Sequence, residues 1–185
     1  MQEVFHRVFS TELGQLELAA SADALLGLEF VGGSQKPDQS AAGSVPATYV
    51  APRSRPNSAL GKAPAADPRA TALLEAAEQE ILAYLAGERQ TFDIPLDLSC
   101  GTTFQQEVWH GLQTIGYGQT MSYGELALSV GHPRAARAVG GANHVNPLSI
   151  IVPCHRVIAA DGSLGGYGGG LWRKQFLLDL ERERR

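Results

Sequence analysis

The sequence contains few of the residues that build disulfide or metal-bound frameworks. It has only two cysteines, Cys100 and Cys154, which excludes a disulfide framework. Together with five scattered histidines, these cysteines form no zinc-type spacing. We therefore predict no metal site, and we expect no cofactor.

Long apolar runs are also missing. The longest, such as residues 149–153, fall far short of the ~20 residues that a bilayer-spanning helix needs. The N-terminus lacks the basic-then-apolar pattern of a secretory signal. These absences predict a cytoplasmic protein without a membrane partner. No feature of the sequence requires an oligomer, so we expect a monomer.

Positive charge is scarce over the chain as a whole but unevenly distributed. The formal net charge of −4 argues against a nucleic-acid partner, because phosphate contacts need Lys and Arg. However, residues 1–100 carry 7 basic and 13 acidic side chains, whereas residues 101–185 carry 8 and 6. The C-terminal half is therefore the part that could face DNA. A hydrophobic content of 44% is enough for a packed core.

Three short apolar runs near the N-terminus have the length of strands. They cover residues 4–9, 16–20 and 25–31, and the first two are separated by a Gly-Gln turn signal. We expect them to form a small antiparallel sheet. Residues 32–66 are rich in Ser, Ala, Pro and Gly with few large apolar side chains, which predicts a disordered insertion.

A helix is predicted directly after this insertion. Asp67 offers an N-cap and Pro68 the first helical position, and apolar residues follow at helical spacing until Gly87. Residues 92–98 are expected to form a connecting strand or an extended linker, because Pro95 excludes a central strand. The predicted domains are therefore residues 1–98 and residues 99–185.

The second domain is predicted to be mainly helical. Thr102 or Thr103 can cap its first helix, which glycines from Gly116 onward should end. Ser122 caps a second, short helix, with Glu125 three residues on in a capping-box pattern.

A third helix, rich in small residues, is expected over residues 134–139. Two short helices joined by a Gly-containing turn resemble a helix-turn-helix. An apolar strand at residues 150–152 should lead into Cys154, and a last helix should cover residues 171–183. The fold class predicted from these patterns is a mixed α/β (α+β) protein.

The most reactive residue type in this half is the thiol of Cys154, which is followed by His155. A free thiol of pKa ~8.5 is only slightly ionised at neutral pH unless a neighbour assists it, and His155 could be that neighbour. Taken alone, the pair is more often a small buried hydrophobe beside a hydrogen-bonded histidine. Both interpretations stay open on these two residues.

The surrounding sequence favours the reactive interpretation. Residues 151–158, Ile-Val-Pro-Cys-His-Arg-Val-Ile, closely resemble the active-site signature of the O6-alkylguanine-DNA alkyltransferases, or methylated-DNA-protein-cysteine methyltransferases. The resemblance covers nearly all of residues 101–185. It implies a ribonuclease H-like N-terminal domain and a C-terminal domain with a helix-turn-helix. The further matching motifs, in the family's order, are residues 104–109, Tyr123, 134–143, 146–147, 165–167 and 174–181.

The resemblance implies a direct displacement at an alkyl carbon, for which the protein supplies a nucleophile and proton transfer. Cys154 would be the nucleophile that keeps the alkyl group. His155 would draw off the thiol proton through a water molecule, and Glu181 would orient and polarise His155, as in a Ser-His-Asp relay. Tyr123 would donate a hydrogen bond or a proton to the guanine. Without the family, Tyr123 would be a half-buried aromatic on a short helix.

The same resemblance implies the structural residues of the pocket. Asn146 would hold the turn before the active site and bond near the catalytic pair, although an Asn-Pro turn is itself a sufficient structural reason for it. The backbone of Val157 and the loop at Tyr167 and Gly168 would line the guanine pocket. Plain loop flexibility is the alternative for those glycines.

The implied partner is double-stranded DNA that contains O6-alkylguanine, whose reactive atom lies inside the duplex. Arg137 would enter the base stack in place of the extruded nucleotide, with Tyr123 beside it. The small residues Ala135, Ala136 and Gly140 would let their helix lie closely in the minor groove. An exposed arginine on a helix is otherwise usually only solvated.

Two other functions are compatible with parts of the sequence. Alkyltransferase-like proteins share the DNA-binding fold but replace the cysteine and only bind lesions, and Cys154 argues against that function. A cysteine hydrolase would use Cys154, His155 and Glu181 to turn over many substrate molecules, and the helix-turn-helix with Arg137 argues against it. Some family members also carry a zinc ion in the N-terminal domain, which we expect to be absent because Cys100 is the only cysteine there.

Overall fold

The computed structural model of the protein describes residues 3–33 and 67–184. From residue 34 onward, the insertion predicted at residues 32–66 lies outside the described residues. The described chain has a small antiparallel sheet followed by a mainly helical part, which confirms the predicted mixed α/β class. None of its helices is long and apolar enough to cross a membrane.

The sheet consists of β1 (Phe5–Thr11), β2 (Gly14–Ala20) and β3 (Leu25–Val31), in the order β1-β2-β3 with both pairs antiparallel. Alternate residues of β2 are buried, as expected for a sheet with one face on the core. The tight connection before β2 requires Gly14, whose φ is 99°.

Helix α1 (Pro68–Leu85) packs on β1 and β2. The Asp67 side chain accepts hydrogen bonds from two backbone N–H groups of the first turn, so the predicted cap is confirmed. Its buried face follows the helical period and includes Leu74, Ile81 and Tyr84. The extended segment after α1 pairs with β3 at an isolated parallel bridge between Leu25 and Leu96.

Three helices follow, with a two-residue strand between the first and the second. The helices are α2 (Thr103–Gln113), α3 (Tyr123–Ser129) and α4 (Ala136–His144). The strand between α2 and α3 is β4 (Met121–Ser122). Thr102 caps α2 and Ser122 caps α3, each in a capping box. Helix α2 ends before the glycines that were expected to stop it, because the Thr114 hydroxyl and N–H both bond to the Gly111 carbonyl.

The third helix of this group, α4, begins and ends later than predicted. A turn closed by the Ala135 N–H and the His132 carbonyl occupies the residues before it, so Arg134 and Ala135 are not helical. The helix then continues to His144. Helices α3 and α4 pack against each other as the predicted pair.

The strand predicted at residues 150–152 is wrong. These buried residues form a turn in which Ile150 has a φ of 73°, a strained value for a β-branched residue. The chain then makes one 3-10 turn (Cys154–Arg156) before β5 (Val157–Ile158), which pairs in parallel with β4. The β-branched run reflects burial of this segment on all sides. The last helix, α5 (Leu171–Glu183), has the predicted bounds.

The two halves of the chain share one hydrophobic core. A second isolated bridge joins Leu28 of β3 to Leu148, six residues before Cys154. Arg173 of α5 reaches the other end of the sheet, where its guanidinium donates to the carbonyl of Leu13 and lies 4.5 Å from the Phe30 ring centroid. The sheet therefore supports the segment that presents the cysteine.

Candidate active site

Cys154 lies at the start of the 3-10 turn, between a cavity on one side and a buried ionic cluster on the other. Its side chain is only 7% exposed. His155 and Arg156 follow it in the same turn and are also buried. The turn therefore places a thiol, an imidazole and a guanidinium within three consecutive buried residues.

The structure brings His155 to Glu181, as the sequence resemblance implied. His155 Nε2 lies 2.7 Å from Glu181 Oε1, and both side chains are almost fully buried. A carboxylate at this distance accepts a hydrogen bond, so the ring proton lies on Nε2 and the lone pair on Nδ1. Nδ1 is buried and bonds to none of the described residues. We call His155 and Glu181 the relay.

The Glu181 carboxylate has three further donors. Arg156 donates through both Nε and Nη2 at 3.0 to 3.1 Å, and the backbone N–H of Gly118 donates to Oε2 at 2.8 Å. The Tyr84 hydroxyl donates to Oε1. A buried carboxylate with this many donors is held in one orientation.

The pKa values in this cluster follow from burial and from these contacts. Burial acts to raise the pKa of Glu181, but His155 and Arg156 outweigh it and bring the pKa to about 2. Burial lowers the pKa of His155, against the opposing effect of Glu181. Burial also raises the pKa of the Cys154 thiol, which Asn146 and Lys174 partly offset. The resting site thus holds a neutral thiol, a neutral imidazole and an ionised carboxylate.

Asn146 closes the strained turn before Cys154. Its amide nitrogen donates to the Val152 carbonyl at 2.8 Å, and its amide oxygen accepts from the Leu148 N–H at 3.1 Å. Asn146 also acts to lower the pKa of the Cys154 thiol. Asn146 therefore both closes the turn that contains Ile150 and acts on the cysteine.

A cavity of about 220 Å³ opens on the other side of the cysteine. The predicted pocket residues Tyr167 and Gly168 lie in its wall, together with Tyr123 and Gly140. Val157 does not, because it is buried behind the turn with its carbonyl bonded to Lys174 Nζ at 2.6 Å. The complete wall consists of Tyr123, Gly140, Asn143, His144, Cys154, Gly166, Tyr167 and Gly168.

The cavity wall depends on close approach of the backbone to Tyr123. A Cβ atom on Gly165, whose φ is 65°, would lie only 3.0 Å from the Tyr123 hydroxyl. Burial, followed by the nearby Cys154, raises the pKa of Tyr123, so its phenol stays protonated and is available as a donor. Two other groups of the wall, the Asn143 amide and the Tyr167 hydroxyl, are buried without a hydrogen bond to any described residue.

The loop that carries Gly165 and Tyr167 is held by a buried lysine of α5. Lys174 Nζ donates to the carbonyls of Val157, Leu164 and Gly166. Burial lowers the pKa of Lys174 to about 8, and Cys154 opposes this shift.

The residues predicted to contact DNA lie on the helix pair beside the cavity. Arg137, in the first turn of α4, is exposed and makes no ion pair with the described residues. Ala135 is the residue before this helix, Ala136 is its first residue, and Gly140 lies one turn further, against the Tyr123 ring. The exposed arginine and the cavity are thus parts of one helical element.

Sequence reasoning missed Tyr84, Asn143 and the role of Lys174. The last had a usable signal, because residues 174, 177 and 181 lie on one face of α5, which placed Lys174 with Glu181 on the buried side. Tyr84 had none, since an aromatic residue at helical spacing is ordinarily a core residue.

The fold and the site together define a protein with a buried cysteine, followed by a His-Glu pair and placed beside a helix-turn-helix. Comparison with known families agrees with this class. Residues 4–98 match the ribonuclease-like domain of 6-O-methylguanine DNA methyltransferase, and residues 103–183 match its DNA binding domain. The chain belongs to this family, which confirms the resemblance drawn from its motifs.

Individual relatives extend over almost the whole chain. A methylated-DNA--protein-cysteine methyltransferase of Mycobacterium tuberculosis is 43% identical over 181 residues, which cover 98% of this chain and 94% of that protein. A protein of the same name from Mycolicibacterium paratuberculosis is 60% identical over 116 residues, or 63% of this chain and 68% of the relative. The crystal structure of Mycobacterium tuberculosis OGT in complex with DNA superposes with a TM-score of 0.72 at 41% identity, covering 97% of this chain and 93% of that one.

Proposed function

We propose that the protein repairs alkylated DNA by moving the alkyl group of O6-alkylguanine onto Cys154 in a single, irreversible turnover. The observation that carries this proposal is the position of Cys154, between a cavity and the relay. The names of relatives that match nearly the full chain support the same activity.

In the proposed reaction, a bond forms between Cys154 Sγ and the alkyl carbon as the bond from that carbon to O6 breaks. The thiol proton passes to His155 Nδ1 with a water molecule as carrier, and Glu181 stabilises the imidazolium. The electron pair of the broken bond stays on the guanine, which takes one proton from the Tyr123 hydroxyl. The Tyr123 phenolate is then reprotonated from the His155 imidazolium through solvent, so that one proton passes from the thiol to the guanine overall. The products are a thioether and unmodified guanine, and the thioether has no route back.

The experiment is intact-mass measurement after mixing the protein with limiting and then excess duplex DNA containing O6-methylguanine. We expect one methyl group per chain, located on the Cys154 peptide, with no further gain at excess DNA. Cys100→Ser is the matched control and should be methylated normally, whereas Cys154→Ala should not. Methylation of Cys154→Ala would contradict the proposal, tight lesion binding without a mass change would favour a lesion-binding protein, and multiple turnovers would favour a hydrolase.

We further propose that α4 lies in the minor groove of double-stranded DNA and that Arg137 replaces the extruded nucleotide in the stack. The exposed guanidinium, which forms no ion pair with residues 3–33 or 67–184, and the small residues around it support this role. Arg137→Ala should slow methyl transfer from duplex DNA while leaving the slower transfer from free O6-methylguanine base unchanged. Equal slowing with both substrates would contradict a role in base extrusion.

We also propose that residues 1–98 and 99–185 are two domains and that the protein acts as a monomer in the cytoplasm. The gap between the two family matches supports the boundary. One chain supplies the thiol, the relay and the cavity, so a second copy is not needed for the reaction. A reduced thiol as the acceptor is suited to a reducing compartment. Sedimentation of the protein would test the monomer, fractionation of its source cells would test the location, and limited proteolysis would test the domain boundary.

A further inference from the structure

Tyr84 links the N-terminal half of the chain to the relay. It lies in the last turn of α1, and its side chain is fully buried. Its hydroxyl donates to Glu181 Oε1, the oxygen that also accepts from His155, and lies 3.4 Å from His155 Nε2. The other hydrogen bonds to Glu181 come from residues 118, 155 and 156.

Packing alone does not explain a tyrosine at this position. The Tyr84 ring contacts Phe92 and Tyr117 at centroid distances of 5.1 and 5.9 Å, contacts that a phenylalanine would make equally well. A buried hydroxyl is unfavourable unless it is hydrogen-bonded, and this one bonds to the charged group of the site. Burial, followed by the Glu181 charge, raises the pKa of Tyr84 well above its usual range, so the phenol is a permanent donor.

We propose that Tyr84 is a positioning residue of the relay, which by donating to Glu181 Oε1 limits the negative charge that reaches His155 and so sets the proton affinity of the imidazole. This inference rests on the proposed function, because it concerns the group that accepts the Cys154 proton. It assigns to the N-terminal half a direct part in the chemistry, beyond supporting the fold.

The direction of the effect follows from the other contacts. In Tyr84→Phe, Arg156 and the Gly118 N–H still hold the carboxylate, so Glu181 stays in place but loses one donor. The remaining charge on Oε1 then stabilises the His155 imidazolium more strongly. The other charged groups that act on His155 are Arg156 and Lys174, which the substitution leaves unchanged. Tyr117 also faces Glu181, but burial raises its pKa, so it carries no charge in the tested pH range.

The test compares Tyr84→Phe with Tyr117→Phe, a matched control. The Tyr117 ring packs edge-on against Tyr84, but its buried hydroxyl bonds to no described residue and does not touch Glu181. Single-turnover methyl transfer is measured between about pH 5 and 9, since a neutral His155 is needed to accept the proton. We expect the acid limb of the Tyr84→Phe profile to move upward by about half a pH unit or more, and the Tyr117→Phe profile to match that of the unmodified protein.

A second measurement does not depend on methyl transfer. Nitrogen-15 NMR of the histidine rings, with His155→Asn for assignment, follows the titration of His155 in the folded protein without DNA. We expect His155 to titrate at a higher pH in Tyr84→Phe than in the unmodified protein or in Tyr117→Phe. An unchanged or lowered midpoint in Tyr84→Phe would overturn the inference even if both variants are folded. Failure of the unmodified protein to accept methyl groups would instead overturn the proposed function, and the NMR titration would still decide the role of Tyr84.

Discussion

The two sides of Cys154 differ in how their polar groups are hydrogen-bonded. On the relay side, the Glu181 carboxylate accepts from four different residues. On the cavity side, the Asn143 amide and the Tyr167 hydroxyl are buried and bond to no described residue. On the relay side the Glu181 carboxylate is held within the protein, and His155 Nδ1 is the relay atom that bonds to no described residue, whereas the wall of the cavity keeps hydrogen-bonding capacity for another molecule.

This difference distinguishes the polar groups that stabilise the fold from the polar groups that are available to bind a substrate. Charged groups in a buried network are held before any substrate arrives, so the reaction does not have to orient them. Buried polar groups without partners cost stability, and such a cost is typical of a binding site. Substitutions that break the hydrogen bonds of Glu181 on the relay side should therefore lower both stability and the rate of methyl transfer. Substitutions on the cavity side should not lower stability by much.

The largest effect is expected for Glu181→Gln, which removes the charge of the relay. Arg156 would be left buried with no anionic partner, so we expect a loss of about 3 kcal/mol in the free energy of unfolding. Methyl transfer should fall by about a hundredfold or more because His155 loses its stabilising charge. Urea unfolding and single-turnover rates measure the two effects.

The matched control for this variant is Asp179→Asn. Asp179 lies on the same helix but pairs with the largely exposed Arg182, so both effects should be small, within about 0.5 kcal/mol. Equal losses of stability and of methyl-transfer rate in the two variants would mean that Glu181 contributes no more than an exposed carboxylate of the same helix.

Acid should destabilise the protein through the relay. Glu181 titrates at about 2 in the folded protein and near ~4.3 when unfolded, so the stability it contributes is present above that range. It is lost as the pH falls from about 5 to 2, by about 3 kcal/mol in total. Because burial lowers the pKa of His155, its protonation in the unfolded state adds to the loss from about pH 6.5 downward.

Urea unfolding at a series of pH values measures this dependence. In Glu181→Gln, the part of the slope due to the carboxylate should disappear, while the part due to His155 should extend to lower pH because the opposing effect of Glu181 is gone. An identical slope in the variant and the unmodified protein would show that Glu181 is not the group responsible.

On the cavity side, Tyr123→Phe should slow methyl transfer by about tenfold to a hundredfold, since it removes a donor for the developing charge on guanine. The free energy of unfolding should change by less than about 1 kcal/mol. The rate is measured at saturating DNA, so that weaker binding does not contribute. A large loss of stability with an unchanged rate would reverse the assignment of the two sides.

The smallest effect is expected for Asn143→Leu. Removing a buried amide without partners should leave stability unchanged or raise it by up to about 1 kcal/mol. Tyr167→Phe provides a second case, because it deletes only an unpaired hydroxyl. Thermal unfolding of both variants measures the change, and a clear loss of stability would contradict the contrast between the two sides.

The sequence predicted those parts of the fold that local chemistry determines. The side chains of Asp67 and Ser122 cap α1 and α3, and they allowed the first residue of each helix to be predicted. Helix α4 has no side-chain cap, and its start was predicted two residues too early. The strand expected at residues 150–152 failed because the Asn146 side chain bonds to the Leu148 N–H and the Val152 carbonyl and so closes a turn on β-branched residues.

The same limit applies to the site. The resemblance of residues 151–158 pointed to Cys154 and His155, and the resemblance of residues 174–181 pointed to Glu181. Tyr84 is 71 residues away from His155 in sequence and meets the relay only because α1 packs beside it. Contacts of this kind form only when the core is assembled, so no local sequence pattern predicts them.

The burial of Cys154 also bears on how long a molecule of this protein stays usable. A thiol that accepts one group permanently gains nothing from reacting with an oxidant or a stray electrophile beforehand, since sulfenic acid formation or adventitious alkylation would block the acceptor. A side chain that is 7% exposed and resting in its protonated form reacts slowly with such small molecules. The packing that raises the pKa of the thiol therefore also protects it from oxidation and stray alkylation, so that an unused molecule stays active until a lesion enters the cavity.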